Sequence, residues 1–191
     1  MFWRLFSDKL KMSLVKIEKK IKRFNKSLIT SGDKSLSIRW ALLASQSSFK
    51  SKSYNLLASE DVLNTLRCLR KLGVKIKLTK KFCEIFGVGL NGFKYKKSLS
   101  LNAGNSGTLG RLIMGLLVHS KSNIRLRGDK SLSRRDFLRV SKPLEKFGAK
   151  FKTNSGKLPI YIKGTDDPLP ISYNETKGSA QCKSAVMLAA L

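Results

Sequence analysis

Hydroxyl, amide and cationic side chains recur in this 191-residue chain at the start of segments with helical hydrophobic spacing. The clearest case is the octapeptide Gly32-Asp-Lys-Ser-Leu-Ser-Ile-Arg39, which returns almost unchanged as Gly128-Asp-Lys-Ser-Leu-Ser-Arg-Arg135. A helix start offers unpaired N–H groups and about half a positive charge, so an adjacent hydroxyl and cation complete an anion site. These residues therefore predict the binding of phosphate or carboxylate groups.

Four predicted helix starts carry such residues. Three of them contain a hydroxyl and a cation four residues apart, which would place both on one helical face. These pairs are Ser35 with Arg39, Ser131 with Arg135, and Ser179 with Lys183. The alternative interpretation is that the hydroxyls are ordinary N-caps and the cations are solvated. The full candidate set is Lys34, Ser35, Arg39, Asn105, Gly107, Thr108, Arg111, Ser131, Arg135, Ser179, Gln181 and Lys183.

The cations of this set should provide most of its affinity for an anion. A charge-assisted hydrogen bond contributes roughly 1.5–3 kcal/mol, whereas a helix dipole contributes roughly 0.3–1 kcal/mol. We therefore expect four residues to dominate binding: Lys34, Arg39, Arg111 and Arg135.

Other reaction chemistry is poorly represented. The single histidine, His119, ends an apolar helical segment and is interpreted as a packing or capping residue. Three cysteines, Cys68, Cys83 and Cys182, form no C-x-x-C pair, which favours a reduced, cytoplasmic chain without a zinc site. There is no G-x-x-x-x-G-K-[ST] loop, and no pair of carboxylates stands out. We expect no metal and no cofactor.

The net charge of +27 favours a nucleic-acid or anionic-membrane partner when it is taken alone. The lysines are spread over nearly the whole chain, however, and no run of them reaches the length of a basic arm. The apolar run 112–118 is also too short to span a membrane, which takes about 20 residues. We therefore expect neither a membrane nor a nucleic acid as partner, and keep a basic nucleic-acid-binding protein as an alternative.

Hydrophobic periodicity predicts the elements that must position these residues. A helix over 33–47 would face a core with Leu36, Trp40 and Leu43, and a helix over 60–72 would end at Gly73. A strand over 74–78 follows. The same order recurs downstream: helix 106–118, strand 124–127, helix 133–147 closed by Gly148, and strands 149–152 and 158–162.

The recurrence has a fixed register. Gly148 follows Gly73 by 75 residues, and Thr108 follows Ser35 by 73. Gly178 follows Gly32 by 146, which is twice 73. The sequence therefore predicts three copies of a βαβαββ unit over about 30–100, 101–173 and 174–191, with the third incomplete. Residues 1–13 are interpreted as an N-terminal extension, in which Met12 is a second candidate start.

Four ordered motifs closely resemble the EPSP synthase family. They are Gly32-Asp-Lys-Ser-Leu-Ser-x-Arg39, Asn105-Ser-Gly-Thr108-Leu-x-Arg111, Gly128-Asp-x-Ser-Leu-x-x-Arg135 and Gly178-Ser-Ala-Gln-x-Lys-Ser-Ala185, joined by Leu57-Ala-Ser-Glu-Asp-Val62. The resemblance covers residues 14–191 and implies an α/β (α+β) fold, with repeated βαβαββ units forming the first domain of a two-domain enolpyruvyl transferase. It also implies transfer of the enolpyruvyl group of phosphoenolpyruvate to the 5-hydroxyl of shikimate 3-phosphate, without a metal or cofactor.

The resemblance also implies a role for each matching residue. Lys34, Ser35 and Arg39 would hold the shikimate phosphate and phosphoenolpyruvate, and Lys34 is the one candidate catalytic residue. Asn105, Gly107, Arg135 and Gln181 would line the phosphoenolpyruvate side, and Ser179, Ala180 and Lys183 would face the shikimate phosphate. Thr108 would be a further substrate-binding residue.

Length is the main departure from the family. Its members are more than twice as long and are expected to be monomers, and their second domain supplies carboxylates and further cations. We therefore expect this chain to require a C-terminal domain, to bind anions weakly alone and not to turn over. The related UDP-N-acetylglucosamine enolpyruvyl transferases are the alternative of the same class.

Overall fold

The computed structural model describes residues 16, 18, 23, 25–176 and 178–191. The predicted extension over residues 1–13 lies outside them. The chain divides into two units, Met1–Thr30 and Ser31–Leu191, and all the described helices and strands belong to the second. In chain order they are α1 (Lys34–Gln46), β1 (Lys50–Tyr54), α2 (Glu60–Lys71), β2 (Lys75–Leu78), β3 (Phe82–Phe86), β4 (Leu99–Asn102), α3 (Gly107–Leu116), β5 (Ile124–Arg127), a 3₁₀ turn (Leu132–Arg134), α4 (Leu138–Glu145), β6 (Lys150–Asn154), β7 (Lys157–Lys163) and α5 (Ala180–Ala189).

Two sheets of the same design support the predicted repeat. The first has the order β1-β3-β2 and is antiparallel throughout. The second has the order β4-β5-β7-β6, in which β5, β7 and β6 repeat that antiparallel arrangement and β4 adds a parallel strand beside β5. The second repeat, predicted over about 101–173, is therefore a complete βαβαββ unit. In the first repeat, predicted over about 30–100, the described residues contain no strand before α1 that would correspond to β4. Among these residues the first repeat is therefore not a complete βαβαββ unit.

The first residues of three helices are spaced at the same interval as the predicted repeat. Asp33, Ser106 and Ser179 are the N-caps of α1, α3 and α5, and each stands 73 residues after the last. Each side chain accepts a hydrogen bond from the backbone N–H three residues on, which satisfies one of the unpaired donors of the first turn. Gly73 and Gly148 both have positive φ after the second helix of their units, as the predicted C-caps require.

The predicted inner face of α1 is wrong for two of its three residues, since Trp40 is partly buried and packs against the core but Leu36 and Leu43 do not. Leu36 and Leu43 are 67% and 53% exposed, whereas Ile38, Ala41, Leu42 and Ser45 are fully buried. The buried stripe has the helical spacing i, i+3, i+4, i+7, and the small size of Ala41 and Ser45 lets α1 pack closely on its neighbours, α2 and β3. Leu36 and Leu43 instead lie on the outer side of the helix.

The predicted helix over 133–147 is also wrong at its start. Asp129 caps only a three-residue 3₁₀ turn, and α4 begins at Leu138 after an extended Arg135 with φ −78° and ψ 150°. Asp136 then accepts a hydrogen bond from the Leu138 N–H at 2.8 Å, which starts the new helix. Ser131 and Arg135 are therefore not neighbours on one helical face. The two octapeptides share a capping residue but continue into different structures.

The core runs between the sheets and helices as one cluster of buried apolar side chains. Phe137, Leu109, Leu112 and Ile113 are fully buried within it, so α3 lies at its centre. No helix among the described residues is long and apolar enough to cross a membrane. All three cysteines are buried and unpaired.

Candidate functional site

The start of α3 lies where two parallel strands end. β4 and β5 run side by side, and the loops that follow them remain joined: the Ala103 N–H donates to the Arg127 carbonyl at 2.8 Å, and the Asp129 N–H to the Gly104 carbonyl at 2.8 Å. The first loop leads into the N-cap Ser106, and the second leads to Arg135. This pairing explains why two segments about 30 residues apart in sequence contribute to one place.

Two guanidinium groups flank the first residue of α3. A Cβ atom on Gly107 would lie 3.1 Å from Nη1 of Arg111 and 3.1 Å from Nη1 of Arg135. Neither arginine forms a salt bridge with any described residue. Two cations without a salt-bridge partner at a helix N-terminus form an anion-attracting arrangement, because the helix dipole and both charges act in the same direction.

Neutral groups hold both guanidinium groups in place. Arg135 Nη2 donates to the Asn105 side-chain oxygen at 3.3 Å. Arg111 Nη1 donates to the Gln181 side-chain oxygen at 2.8 Å, and its Nη2 donates to the Asp136 carbonyl at 3.3 Å. Burial lowers the pKa of Arg111, and the nearby charge of Arg135 acts in the same direction. A bound anion would relieve this repulsion.

The start of α5 joins the same site. Gln181 donates from Nε2 to the Thr108 hydroxyl at 3.1 Å, which links α5 to the first turn of α3. Ser179 caps α5 through the Cys182 N–H at 3.2 Å, while Ala180 and Lys183 are exposed to solvent. The repeat spacing and the direct packing of α3 on α5 thus bring together six of the predicted residues: Asn105, Gly107, Thr108, Arg111, Arg135 and Gln181.

The start of α1 forms a second group of contacts. Lys34 Nζ lies 3.1 Å from the Asp61 carboxylate, and Arg39 Nη1 donates to the Ser35 carbonyl at 3.5 Å. Gly32 allows this arrangement, because a Cβ on it would overlap the Asn55 carbonyl oxygen where the chain leads into α2. Among the described residues, no hydrogen bond or salt bridge joins Lys34, Ser35 or Arg39 to the group at the start of α3.

Asp61 is the residue that the sequence reasoning missed as a partner. Asp61 belongs to the Leu57–Val62 motif, but the sequence alone assigned it no function. Its position in the first turn of α2, and the seating of that segment on α1 through the Leu57 N–H to Ser37 hydroxyl bond, place its carboxylate at Lys34. A carboxylate at the start of a helix packed on α1 is the signal that could have identified it.

The remaining candidates do not form a second reactive site. His119 Nε2 donates to the Ala189 carbonyl at 3.0 Å near the end of α5, as the capping interpretation requires. It also lines a cavity of 1280 Å³ together with Met187 and Leu191. The candidate residue Lys183 lines the same cavity, whereas Arg111 and Arg135 do not. The described residues contain no cluster of His, Cys, Asp and Glu side chains that could hold a metal ion.

Known proteins resemble this chain over most of its length. The family model for EPSP synthase (3-phosphoshikimate 1-carboxyvinyltransferase) matches residues 18–191. A protein of Ruthia magnifica subsp. Calyptogena magnifica named 3-phosphoshikimate 1-carboxyvinyltransferase is 46% identical over 160 residues, which are 84% of this chain and 37% of that protein. A protein of the same name from Bradyrhizobium diazoefficiens is 41% identical over 163 residues, covering 84% of this chain and 34% of its own length.

A solved structure shows the same fold. EPSP synthase from Acinetobacter baumannii superposes with a TM-score of 0.80 at 37% identity, covering 85% of this chain and 37% of that chain. The chain therefore spans between 34% and 37% of the length of these relatives.

Proposed function

Because the chain belongs to the EPSP synthase family, we propose that it supplies part of the substrate site of an enzyme that joins phosphoenolpyruvate to shikimate 3-phosphate. The enolpyruvyl group is transferred to the 5-hydroxyl of shikimate 3-phosphate, and phosphate is released. The observation that carries this proposal is the pair Arg111 and Arg135 at the start of α3, which forms no salt bridge with a described residue. Both substrates are phosphorylated, and phosphoenolpyruvate also carries a carboxylate.

The α3 site is assigned to phosphoenolpyruvate. Arg135 is free to turn one face of its guanidinium to an anion, because its Asn105 partner is neutral and the side chain is exposed. Gly107 lets both guanidinium groups approach the helix start closely, since a Cβ there would lie 3.1 Å from each, and Gln181 and Thr108 add polar atoms at the same place. A trianionic ligand would gain charge-assisted hydrogen bonds here that water cannot match.

The α1 and α5 starts are assigned to shikimate 3-phosphate. Lys34, Ser35 and Arg39 would contact its phosphate from α1, and Ser179, Ala180 and Lys183 from α5. In the unliganded chain the Lys34 ammonium is paired with the Asp61 carboxylate, which partly neutralises its charge until an anion binds. The same ammonium would remain the candidate catalytic group, because it is the only assigned lysine held in place by a buried or half-buried acid among the described residues.

The proposed reaction proceeds by addition and elimination. The 5-hydroxyl oxygen attacks C2 of phosphoenolpyruvate and gives up its proton, while C3 gains a proton. The resulting tetrahedral intermediate then loses a C3 proton and the C2–O bond to phosphate breaks, so the net change transfers the hydroxyl proton to the released phosphate. Negative charge grows on the departing phosphate, and cations fixed beside it stabilise that charge without reorganisation. The residues of this chain bind and orient the two substrates, and no metal or cofactor enters the scheme.

The relatives contain a further C-terminal part that this chain does not match. We propose that activity requires a domain equivalent to that part. A site open on one side admits water, which weakens each electrostatic contact. We propose that the complete enzyme acts as a monomer in the cytoplasm, in keeping with three unpaired, buried thiols.

A direct test measures binding and phosphate release by the purified chain. We expect phosphoenolpyruvate and shikimate 3-phosphate to bind weakly and no phosphate to be released, until the C-terminal remainder of the relative from Ruthia magnifica is added. Phosphate release by the chain alone would contradict the need for that partner. RNA binding that falls steeply with salt and is not displaced by shikimate 3-phosphate would instead favour a nucleic-acid-binding function.

A further inference from the structure

Arg111 joins three separate elements at the start of α3. Its side chain extends from α3, donates to Gln181 of α5 at 2.8 Å, and donates to the Asp136 carbonyl in the turn before α4 at 3.3 Å. Its guanidinium carbon also lies 5.2 Å from the centre of the Phe137 ring, which is fully buried. Among the candidate cations, Arg111 is the one whose hydrogen bonds to described residues reach two other elements.

The Arg111 contact determines the orientation of the Gln181 amide. A guanidinium group can only donate hydrogen bonds, so the amide oxygen of Gln181 must face Arg111 and its nitrogen must face away. One Nε2 proton then binds the Thr108 hydroxyl oxygen at 3.1 Å. The second Nε2 proton and the Thr108 hydroxyl proton are left for a ligand at the helix start. Without Arg111, the amide could rotate by half a turn and present its oxygen to an anion instead.

Arg111 also restrains Arg135. The Asp136 carbonyl directly follows Arg135 in the chain, and the Asp136 side chain caps α4. A fork-shaped guanidinium can serve Gln181 and this carbonyl together, whereas the ammonium of a lysine is a single point of charge on a flexible stem. Charge alone therefore does not explain an arginine at this position.

We propose that Arg111 is a positioning residue, which fixes the Gln181 amide and the turn at Arg135 so that both present donors to one anion. The anion is identified by its chemistry as a phosphate or carboxylate group. This inference rests on the proposed function for the identity of the ligand, but the contact between Arg111 and Gln181 can be tested without any substrate.

The chain offers an unusually direct spectroscopic test, because it contains two glutamines, Gln46 and Gln181. Selective ¹⁵N labelling of glutamine side chains gives two amide groups, and Gln181→Ala assigns them. We expect Arg111→Lys and Arg111→Met to shift both Nε2 proton signals of Gln181 and to bring them closer together, while the Gln46 signals stay in place. Arg134→Met is the matched control, because it removes an exposed charge from the neighbouring 3₁₀ turn and should leave Gln181 unchanged.

A second variant keeps the test valid if the arginine substitutions reduce folding. Thr108→Val retains Arg111 and the shape of the side chain but removes the oxygen that accepts from Gln181, so it should shift one Nε2 proton much more than the other. Unchanged Gln181 signals in Arg111→Lys, or equal shifts of both protons in Thr108→Val, would overturn the proposal.

A binding cycle tests whether the contact matters for the anion. With inorganic phosphate as the probe, Arg111→Lys and Gln181→Ala should each weaken binding about tenfold, the size of one charge-assisted hydrogen bond. The double variant should be no more than about twofold weaker than either one, because the two residues act as a unit. Losses that multiply would mean that Arg111 binds the anion independently. If the unaltered chain binds no phosphate, the proposed function fails while the amide spectra still decide the role of Arg111.

Discussion

Gly115 of α3 lies directly against Ala185 of α5, so closely that a Cβ atom on Gly115 would overlap the Ala185 carbonyl oxygen. The two helices therefore meet backbone to backbone. Both begin at the candidate site, where Thr108 of α3 and Gln181 of α5 are hydrogen-bonded. The distance between the start of α3 and the start of α5 is thus set by Gly115, two helical turns after Thr108.

Gly115→Ala should therefore disturb both stability and the site. Overpacking a close contact costs about 1–3 kcal/mol, and the displacement of α5 would lengthen the Gln181 to Thr108 hydrogen bond. We expect a lower unfolding midpoint in urea and a shifted Gln181 amide signal. Met187→Ala, on an exposed position of α5, is the control and should change neither. An unaltered amide signal in Gly115→Ala would show that the helix contact does not set the site geometry.

Gly107→Ala should weaken anion binding with little effect on folding. The added methyl carbon would stand 3.1 Å from the guanidinium nitrogens of Arg111 and Arg135, which are flexible enough to retreat by a few tenths of an ångström. We expect the affinity for phosphoenolpyruvate to fall about three- to tenfold, because Arg135 moves from its bound position and Arg111 moves from the contact that orients Gln181. Calorimetric titration measures this, and an affinity equal to that of the unaltered chain would show that Gly107 does not border the anion.

Asp61→Asn should strengthen the binding of shikimate 3-phosphate. The substitution removes the carboxylate that compensates Lys34 at 3.1 Å, and a partly exposed pair of this kind is worth about 1 kcal/mol. We expect a gain in affinity of about two- to fivefold. Glu60→Gln is the matched control, since Glu60 is the adjacent residue and pairs with Arg67 instead. A loss of affinity in Asp61→Asn would mean that the carboxylate itself contacts the substrate.

Cys68 should make the protein less stable at alkaline pH. Burial raises the pKa of its thiol from 9.0 to about 11. A group whose folded pKa is raised contributes stability that is complete below its unfolded pKa and is lost as the pH rises through its folded pKa. The free energy of unfolding should therefore fall between pH 9 and 11, by up to about 3 kcal/mol from this thiol. Urea unfolding of Cys68→Ala should show a shallower decline, and an identical slope would contradict the assignment.

The repeat and the caps were predictable because they depend on local chemistry. Asp33, Ser106 and Ser179 cap three helices at intervals of 73 residues, and Gly73 and Gly148 end two others, all in agreement with spacings visible in the chain. Capping involves residues within a few positions of one another, so sequence patterns contain the necessary information.

The errors arose where tertiary packing decides the outcome. In α1, the stripe with Ala41 and Ser45 is buried in preference to Leu36 and Leu43, because small residues allow close packing. In the second octapeptide, Arg135 is drawn out of helical geometry, and its guanidinium reaches Asn105. The pairing of Lys34 with Asp61 likewise depends on how α2 is seated on α1, which no local spacing reports.

The most direct test of the account is a calorimetric titration of phosphoenolpyruvate into the unaltered chain and into Arg135→Ala, with thermal unfolding of both. Because Arg135 is exposed, its truncation should leave the unfolding temperature within about a degree of the original. The binding free energy for phosphoenolpyruvate should fall by a few kcal/mol, so that binding to the variant is too weak to detect by calorimetry. Equal affinity for phosphoenolpyruvate in the two proteins, or unfolding of the variant, would contradict the assignment of the α3 start as the anion site.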